Sequence, residues 1–337
     1  MGVFKELSYQ SQIRVLRRVA TNTLKQYPLK VRSIDFIQHG ENTTYKITDT
    51  KSNKYLLRIH RQGYHSKKGI EEELKWLDRL GRTTEIVAPV PLKTNSDSFI
   101  ATESLGFENE ERNLTLLKWV EGRQIKKSFS DNSIKEIGKL TADLHSNTKN
   151  IKVLHRNYWS AEGLVGKKPF MGPIDAIVGL NSNQQQTLNE ARTIVFDRLS
   201  KYERKYKNKT GLIHADLHFG NFFLKDGKIS PIDFDDCGYG FHMYDLAVTM
   251  TSLENSIVKK IITKKEFDHT KDVLLNSYNS FYPLTEDDLK IIDDLKLARR
   301  FLGTQWLNLR ADNPNLKKRS VPYARETVKI LKKSLGI

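Results

Sequence analysis

The sequence predicts an α+β chain of two lobes, a small antiparallel sheet lobe over residues 1–118 and a larger, mainly helical lobe over residues 119–337. Three observations carry this reading. Short strand-like runs crowd the first third, helical periodicity dominates the rest, and a single strand–turn–strand signature interrupts the helical part between His214 and Asp236. With 337 residues the chain is long enough to bury a core in each lobe. Hydrophobic residues make up 38% and charged residues 28%, with 19 Gly and 9 Pro, a balance that excludes collagen-like and wholly disordered chains.

Residues 8–27 place Ile13, Val15, Leu16, Val19 and Leu24 among basic and polar positions, the spacing of an amphipathic helix ahead of the first sheet. The period then changes. Strand-like runs at 34–38, 44–48 and 55–60 are separated by Gly40-Glu41-Asn42 and Lys51-Ser52-Asn53, as in an antiparallel meander. The next segment sets Ile70, Leu74, Leu77 and Leu80 on one side of a helix, with Trp76 at its margin. At 100° per residue Glu73 falls among those apolar positions while Glu71 and Glu72 point away. A carboxylate on a core-facing stripe needs a partner. Further strands are expected at 98–103 and 114–120, and the strand signals stop at Gly122, which puts a lobe boundary near residues 119–123.

The second lobe opens with a helix carrying Ile134, Ile137, Leu140, Thr141 and Leu144, followed by a polar helix over about 183–205. Two short apolar strands at 221–224 and 229–234 are joined by Asp226-Gly227, a strong hairpin signal. Helices are expected to return after Met250, with Leu289, Ile292, Leu295, Leu302, Trp306 and Leu309 forming apolar stripes.

The chemistry concentrates in His214-Ala215-Asp216-Leu217-His218-Phe219-Gly220-Asn221 and in Asp233-Phe234-Asp235-Asp236 twelve residues later. Phosphoryl transfer from a nucleotide needs a carboxylate that orients the attacking hydroxyl and accepts its proton, and oxygen ligands that hold Mg2+ against the phosphates. A loop with Asp at one end and Asn five positions on supplies the first and part of the second. A carboxylate at the end of the following hairpin can complete such a metal site.

The frame His-x-Asp-x-x-x-x-Asn followed by a downstream Asp resembles the catalytic loop and metal-binding Asp of protein kinases. Taken with IDFDDCGYG, MYDLA, the helix ending IGKLTADLH and the segment GENTTYKI, the chain resembles the aminoglycoside phosphotransferase and choline kinase superfamily, near its homoserine kinase-like and hydroxylysine kinase-like members. The resemblance runs in order from about Phe36 to about Trp306. It implies the bilobal protein kinase-like fold, Asp216 as catalytic base, Asn221 and Asp233 as Mg2+ ligands, Asp235 as a second-metal or substrate-side carboxylate, and His214 as support for the loop. It also implies that Arg58 grips the phosphates where protein kinases use Lys, paired with Glu73. Asn42 and Thr43 would then lie near the phosphates, and Lys118 to Val120 would form the hinge that meets the adenine. His218 has no role in the match.

The function implied is Mg2+-dependent transfer of the γ-phosphoryl of ATP, with GTP not excluded, to a hydroxyl of a small and amine-bearing molecule such as an aminoglycoside, amino alcohol or hydroxy-amino acid. Asp235 and Asp236 with Glu286, Asp287, Asp288, Asp293 and Asp294 offer a wall that could attract such a cation, or the last five simply sit at a helix N-terminus, where acids favour the dipole. A Ser/Thr protein kinase of the same fold stays open as an alternative. So does a nucleotide-binding or nucleic-acid-binding module without catalysis, since 56 Lys and Arg against 40 Asp and Glu give a net charge of +16. The basic run at 201–209 has the composition for polyanion binding or for a solvated helix face; no specific nucleic-acid partner is expected. Cys237, the sole cysteine, permits no intrachain disulfide and reads as packing rather than nucleophile. The opening MGVFKELSYQ lacks the apolar stretch of a signal peptide and no run is long enough to span a bilayer, which gives the expectation of a cytoplasmic protein with no membrane partner.

Overall fold

The structure, a computed structural model, describes residues 4–125, 130–148, 151, 153–310 and 314–337. The chain divides into two compact units: Met1–Arg123 with Leu154–Arg156 and Ser230–Ile232, and a second unit of Gln124–Val153, Asn157–Ile229 and Asp233–Ile337.

In the first unit, helix α1 (Tyr9–Thr23) is capped by the Ser8 side chain and lays Leu16, Val19 and Ala20 against an antiparallel sheet. The strands are β1 (Val31–His39), β2 (Thr43–Asp49), β3 (Lys54–Ile59), β4 (Pro91–Leu92), β5 (Ala101–Ser104) and β6 (Glu111–Lys118). They run in the order β1-β2-β3-β6-β4, with β5 on β6. Tyr45 and Ile47 of β2, Leu57 and Ile59 of β3, and Leu114 and Leu116 of β6 complete the core beneath α1. Helix α2 (Lys67–Thr83) starts at Ser66, whose hydroxyl accepts the Gly69 N–H, and buries Ile70, Leu74, Leu77 and Leu80 as the 3.6-residue period requires. Trp76, expected at the margin of that stripe, is buried as well.

Past the short strand β7 (Arg123–Gln124), at which the division falls, the chain continues with α3 (Asp131–Ser146), β8 (Tyr158–Trp159), α4 (Ala161–Val165) and α5 (Ser182–Lys205). Strands β9 (Thr210–Ile213), β10 (Phe222–Lys225), β11 (Lys228–Pro231) and β12 (Gly238–Phe241) follow, then α6 (His242–Val258), α7 (Lys264–Asn279), α8 (Glu286–Asn308) and α9 (Pro314–Leu335). β10 and β11 are joined at Asp226-Gly227, both with positive φ, as the hairpin signal predicts. The return to helix comes at His242 rather than after Met250. The run from Gly238 that precedes it is a strand pairing antiparallel with β9 and parallel with β8. Glycine is required there: a Cβ on Gly240 would sit 2.4 Å from the Trp159 Cβ. Two residues assigned to apolar stripes, Leu289 and Leu309, are exposed, whereas Ile292, Leu295 and Leu302 are buried. Among the described residues no helix is long and apolar enough to cross a membrane.

Candidate active site

β9 delivers His214, Ala215 and Asp216 into a loop whose backbone is held from below. Ala215 takes a left-handed conformation with φ +69°, unfavourable for a residue with a Cβ. What holds it is Asp245 in the first turn of α6, whose Oδ1 accepts the Ala215 N–H at 2.7 Å and whose Oδ2 accepts the His214 N–H at 3.0 Å. His145, near the end of α3, donates from Nε2 to the same carboxylate at 3.1 Å, and its Nδ1 accepts from the Tyr278 hydroxyl at 2.8 Å. An acceptor-only carboxylate on one side and a hydroxyl on the other fix that tautomer. The imidazole of His214 turns back so that Nδ1 accepts the Asp216 N–H at 3.3 Å. Further along, Thr249 donates to the Leu217 carbonyl at 2.7 Å and Ser252 accepts the Phe219 N–H at 3.2 Å, so α6 braces the loop at several points.

The Asp216 carboxylate is ringed by donors. Arg299 of α8 donates from Nη2 to Oδ1 at 2.8 Å, and Asn221 donates from Nδ2 to Oδ2 at 3.2 Å and to the Asp216 carbonyl at 3.0 Å. His218 Nδ1 accepts the Gly220 N–H at 2.9 Å, which puts its ring proton on Nε2, 3.4 Å from Asp216 Oδ2. Burial alone would push the Asp216 carboxyl up; the hydrogen bond from His218 and the Arg299 charge outweigh it and hold the group down at about 2. Burial opposes the charge on Arg299, but Tyr244 and Asp216 beside it raise its pKa further, so the pair is a fixed carboxylate and a fixed guanidinium. The Asn221 amide hydrogens both point at Asp216, which turns its Oδ1 the other way. Asp233 is exposed with φ +63°, and Asp235 two residues on is buried. An amide oxygen and two carboxylates are hard oxygen donors of the kind Mg2+ prefers. Among the described residues no three His, Cys, Asp or Glu side chains cluster as a metal cage; Mg2+ does not need one, because it takes most of its shell from phosphates and water.

In the first unit Arg58 of β3 is buried and hydrogen-bonded to Glu73 of α2, the partner the helical spacing pointed to. A second buried arginine, Arg156, was not anticipated; its Nη1 lies 3.7 Å from Glu73 Oε2. It arrives there because Glu72, on the outer side of α2, accepts the backbone N–H groups of Leu154 and His155, each at 2.9 Å. Gly69 makes room: a Cβ would meet the His155 carbonyl oxygen at 2.6 Å. Asn42 and Thr43 stand at the β1–β2 turn, where Asn42 Oδ1 accepts the Arg61 N–H at 3.1 Å and the Thr43 hydroxyl bonds the His39 ring at 2.6 Å. At the end of β6 the N–H groups of Lys118 and Trp119 go to the Val90 and Lys54 carbonyls, at 2.8 and 3.1 Å. Val120 N–H makes no backbone hydrogen bond among the described residues.

The acids of α8 have other employment. Glu286, Asp287 and Asp288 lie in its first turn, where Asp287 pairs with Lys205 at 2.6 Å and Asp288 with Lys209 and Tyr202. Asp294 pairs with Arg198 at 3.1 Å and Asp293 with Lys296 at 2.9 Å. These pairs also occupy part of the basic run at 201–209. Cys237 is buried.

The Asp216 loop clamped by an Asn five residues on, a downstream acidic pair and, in the first unit, a buried Arg–Glu pair on strand and helix are the features expected of a kinase-type phosphotransferase. The chain belongs to the phosphotransferase enzyme family, whose family model matches residues 34–262. It is similar to amicoumacin kinase of Bacillus subtilis (strain 168), with 27% identity over 295 residues covering 85% of this chain and 82% of that protein. Among solved structures, a microcompartment-associated aminopropanol kinase superposes with a TM-score of 0.80 at 23% identity, covering 95% of this chain and 98% of the other. An amicoumacin kinase solved in complex with AMP-PNP, Ca2+ and Ami gives a TM-score of 0.73 at 21% identity, covering 96% of both chains. The fold is therefore protein kinase-like, and the chain is a member of a phosphotransferase family.

Proposed function

We propose that this chain transfers the γ-phosphoryl of ATP, with Mg2+, to a hydroxyl of a small amine-bearing molecule, with Asp216 as the base. The observation that carries the reading is the Asp216 carboxylate itself: ionised, fixed on a loop that α6 anchors from below, and clamped by Asn221. A carboxylate at about 2 is far too weak a base to strip an alcohol beforehand. It orients the hydroxyl and takes the proton as the oxygen–phosphorus bond forms. In this reading Asn221 Oδ1, Asp233 and Asp235 hold the metal. When bound, Mg2+ neutralises the charge of the phosphate oxygens. Arg58, set by Glu73, binds nucleotide phosphate, Asn42 and Thr43 lie near it, and Val120 N–H is the adenine donor that the end of β6 offers. His214 keeps Asp216 in place without touching substrate. Transfer is direct, since the loop offers a base and ligands but no nucleophile. The relatives support a nucleotide, a divalent cation and an amine-bearing acceptor, since one was solved with AMP-PNP and Ca2+ and another is an aminopropanol kinase.

The test is nucleoside-diphosphate release from ATP and Mg2+ across amino alcohols, aminoglycosides, hydroxy-amino acids and a generic protein acceptor, with Asp216→Ala beside the wild type. Turnover that depends on a small acceptor and vanishes in Asp216→Ala, while nucleotide binding persists, supports the reading. Label transferred to protein alone would replace it with the protein kinase alternative.

A further inference from the structure

Beside Asp216 the second unit contains a cleft of about 390 Å3, large enough for a small metabolite. Ile125, Phe219 and Val248 give it apolar wall, and Thr251, Ser252 and Asn255 give it neutral hydrogen-bonding groups. Its charged lining is Arg299 and Lys259, with His218 next to them; among the described residues no carboxylate lines it. The acids of α8 that could have attracted a cation are held by Lys205, Lys209, Arg198 and Lys296. A cleft selecting its ligand by an ammonium group would present carboxylates or an aromatic cage. This one presents a guanidinium and an ammonium.

Arg299 sharpens the point. Both oxygens of Asp216 already accept hydrogen bonds or face a donor, Oδ1 from Arg299 and Oδ2 from Asn221 and His218. An acceptor hydroxyl must come within hydrogen-bond reach of one of these oxygens. A guanidinium carries five donors and binds oxyanions through a planar fork, so an anionic group in the cleft can engage Arg299 and loosen its hold on Asp216 Oδ1. Lys259, the residue just past the last turn of α6, is exposed at the same cleft and forms no ion pair among the described residues.

We propose that the acceptor carries an oxyanion, a carboxylate or a phosphate monoester, in addition to the hydroxyl that is phosphorylated, and that Arg299 and Lys259 bind it. The proposal rests on the kinase reading and narrows its substrate class; an amine elsewhere on the acceptor is compatible with it. Arg299 is in this role a specificity-determining residue, since an anion that engages it loosens its hold on the carboxylate the hydroxyl must reach.

The experiment uses the full chain with MgATP and acceptors in matched pairs: hydroxy acids against their carboxamides, and hydroxylated phosphate monoesters against the corresponding free alcohols. Thermal protection is read alongside turnover. The anionic member of at least one pair should show a KM tenfold or more below its neutral counterpart, and which kind of pair shows it separates carboxylate from phosphate. Lys259→Glu, on an exposed side chain outside the Asp216 cluster, should raise the KM for that anionic acceptor at least tenfold. Its kcat, and the KM for the neutral counterpart, should stay within about twofold. Equal use of neutral or purely cationic acceptors, or an unchanged KM in Lys259→Glu, overturns the proposal. So does protection by MgATP with neither turnover nor added protection from any anionic compound at 10 mM. Absence of MgATP binding instead sinks the kinase reading beneath it.

Discussion

His145 and Asp245, one hundred residues apart in the chain, meet at 3.1 Å under the loop that carries Asp216, both with fully buried side chains. Each sits in a short motif, LTADLH or MYDLA, and the contact explains why a helix end and a helix start far from Asp216 belong to one site. The Asp245 carboxylate binds two consecutive N–H groups of the loop, and His145 fixes that carboxylate.

Asp245→Asn puts an amide where only acceptors fit, and its NH2 group faces the His214 or the Ala215 N–H. A buried donor left facing a donor costs about 1–3 kcal/mol, more where a charge was removed. The variant should lose about 3 kcal/mol in a denaturant midpoint and at least a hundredfold in kcat. Nucleotide affinity, which the proposal assigns to Arg58 and Glu73 in the other unit, should hold within twofold by titration calorimetry.

Much of the site was legible because its chemistry is local. The five-residue step from Asp216 to Asn221 survives as a direct hydrogen bond, and the helical angle of Glu73 marked it as a core-side carboxylate in need of a partner, while Arg58 came from the resemblance. His145 and Asp245 were visible as motif letters but without roles, since their contacts join segments that sequence spacing does not relate. Arg299 left no trace at all: it lies in the run Leu297-Ala298-Arg299-Arg300-Phe301, and only the packing of α8 brings it to Asp216. Arg156 was hidden for the same reason. The β12 strand left no signal because glycine is depleted in strands, and Gly238 and Gly240 are glycines that let Asn157 and Trp159 approach.

Glu73 is the carboxylate shared by Arg58 and Arg156, and its own side chain is fully buried. Glu73→Gln keeps the shape and removes the negative charge that faces both buried guanidinium groups. Breaking a buried pair from one side costs about 3–5 kcal/mol. Stability by urea denaturation should fall by about that amount, and the KM for nucleotide should rise more than kcat falls. A variant as stable as the wild type would mean that the arginines are neutralised elsewhere.

The Asp216 carboxyl, at about 2 in the folded chain against 3.8 for the free group, binds its proton less tightly folded than unfolded. Its ionised form therefore stabilises the fold above pH 4, by about 2 kcal/mol, and the contribution drains away as the pH falls from 4 towards 2. A carboxyl carbon titration of the wild type should place the midpoint near 2. Arg299→Gln should move it upward, because the guanidinium is part of what holds it down. No acid limb above pH 4 in the rate profile should trace to Asp216.

Asp233 occupies the left-handed region at φ +63°, which Asp and Asn tolerate better than other side chains. Asp233→Asn therefore removes the charge without new backbone strain. If the residue holds Mg2+, loss of that charge weakens the metal and with it the nucleotide. Binding of ATP should then fall at least tenfold in the presence of Mg2+ and hardly change in its absence. The same titration in Asp235→Asn separates the two carboxylates: the stronger Mg2+-dependent loss identifies the direct ligand. Nucleotide affinity that responds to Mg2+ identically in wild type and Asp233→Asn would move the metal to Asp235 and Asn221.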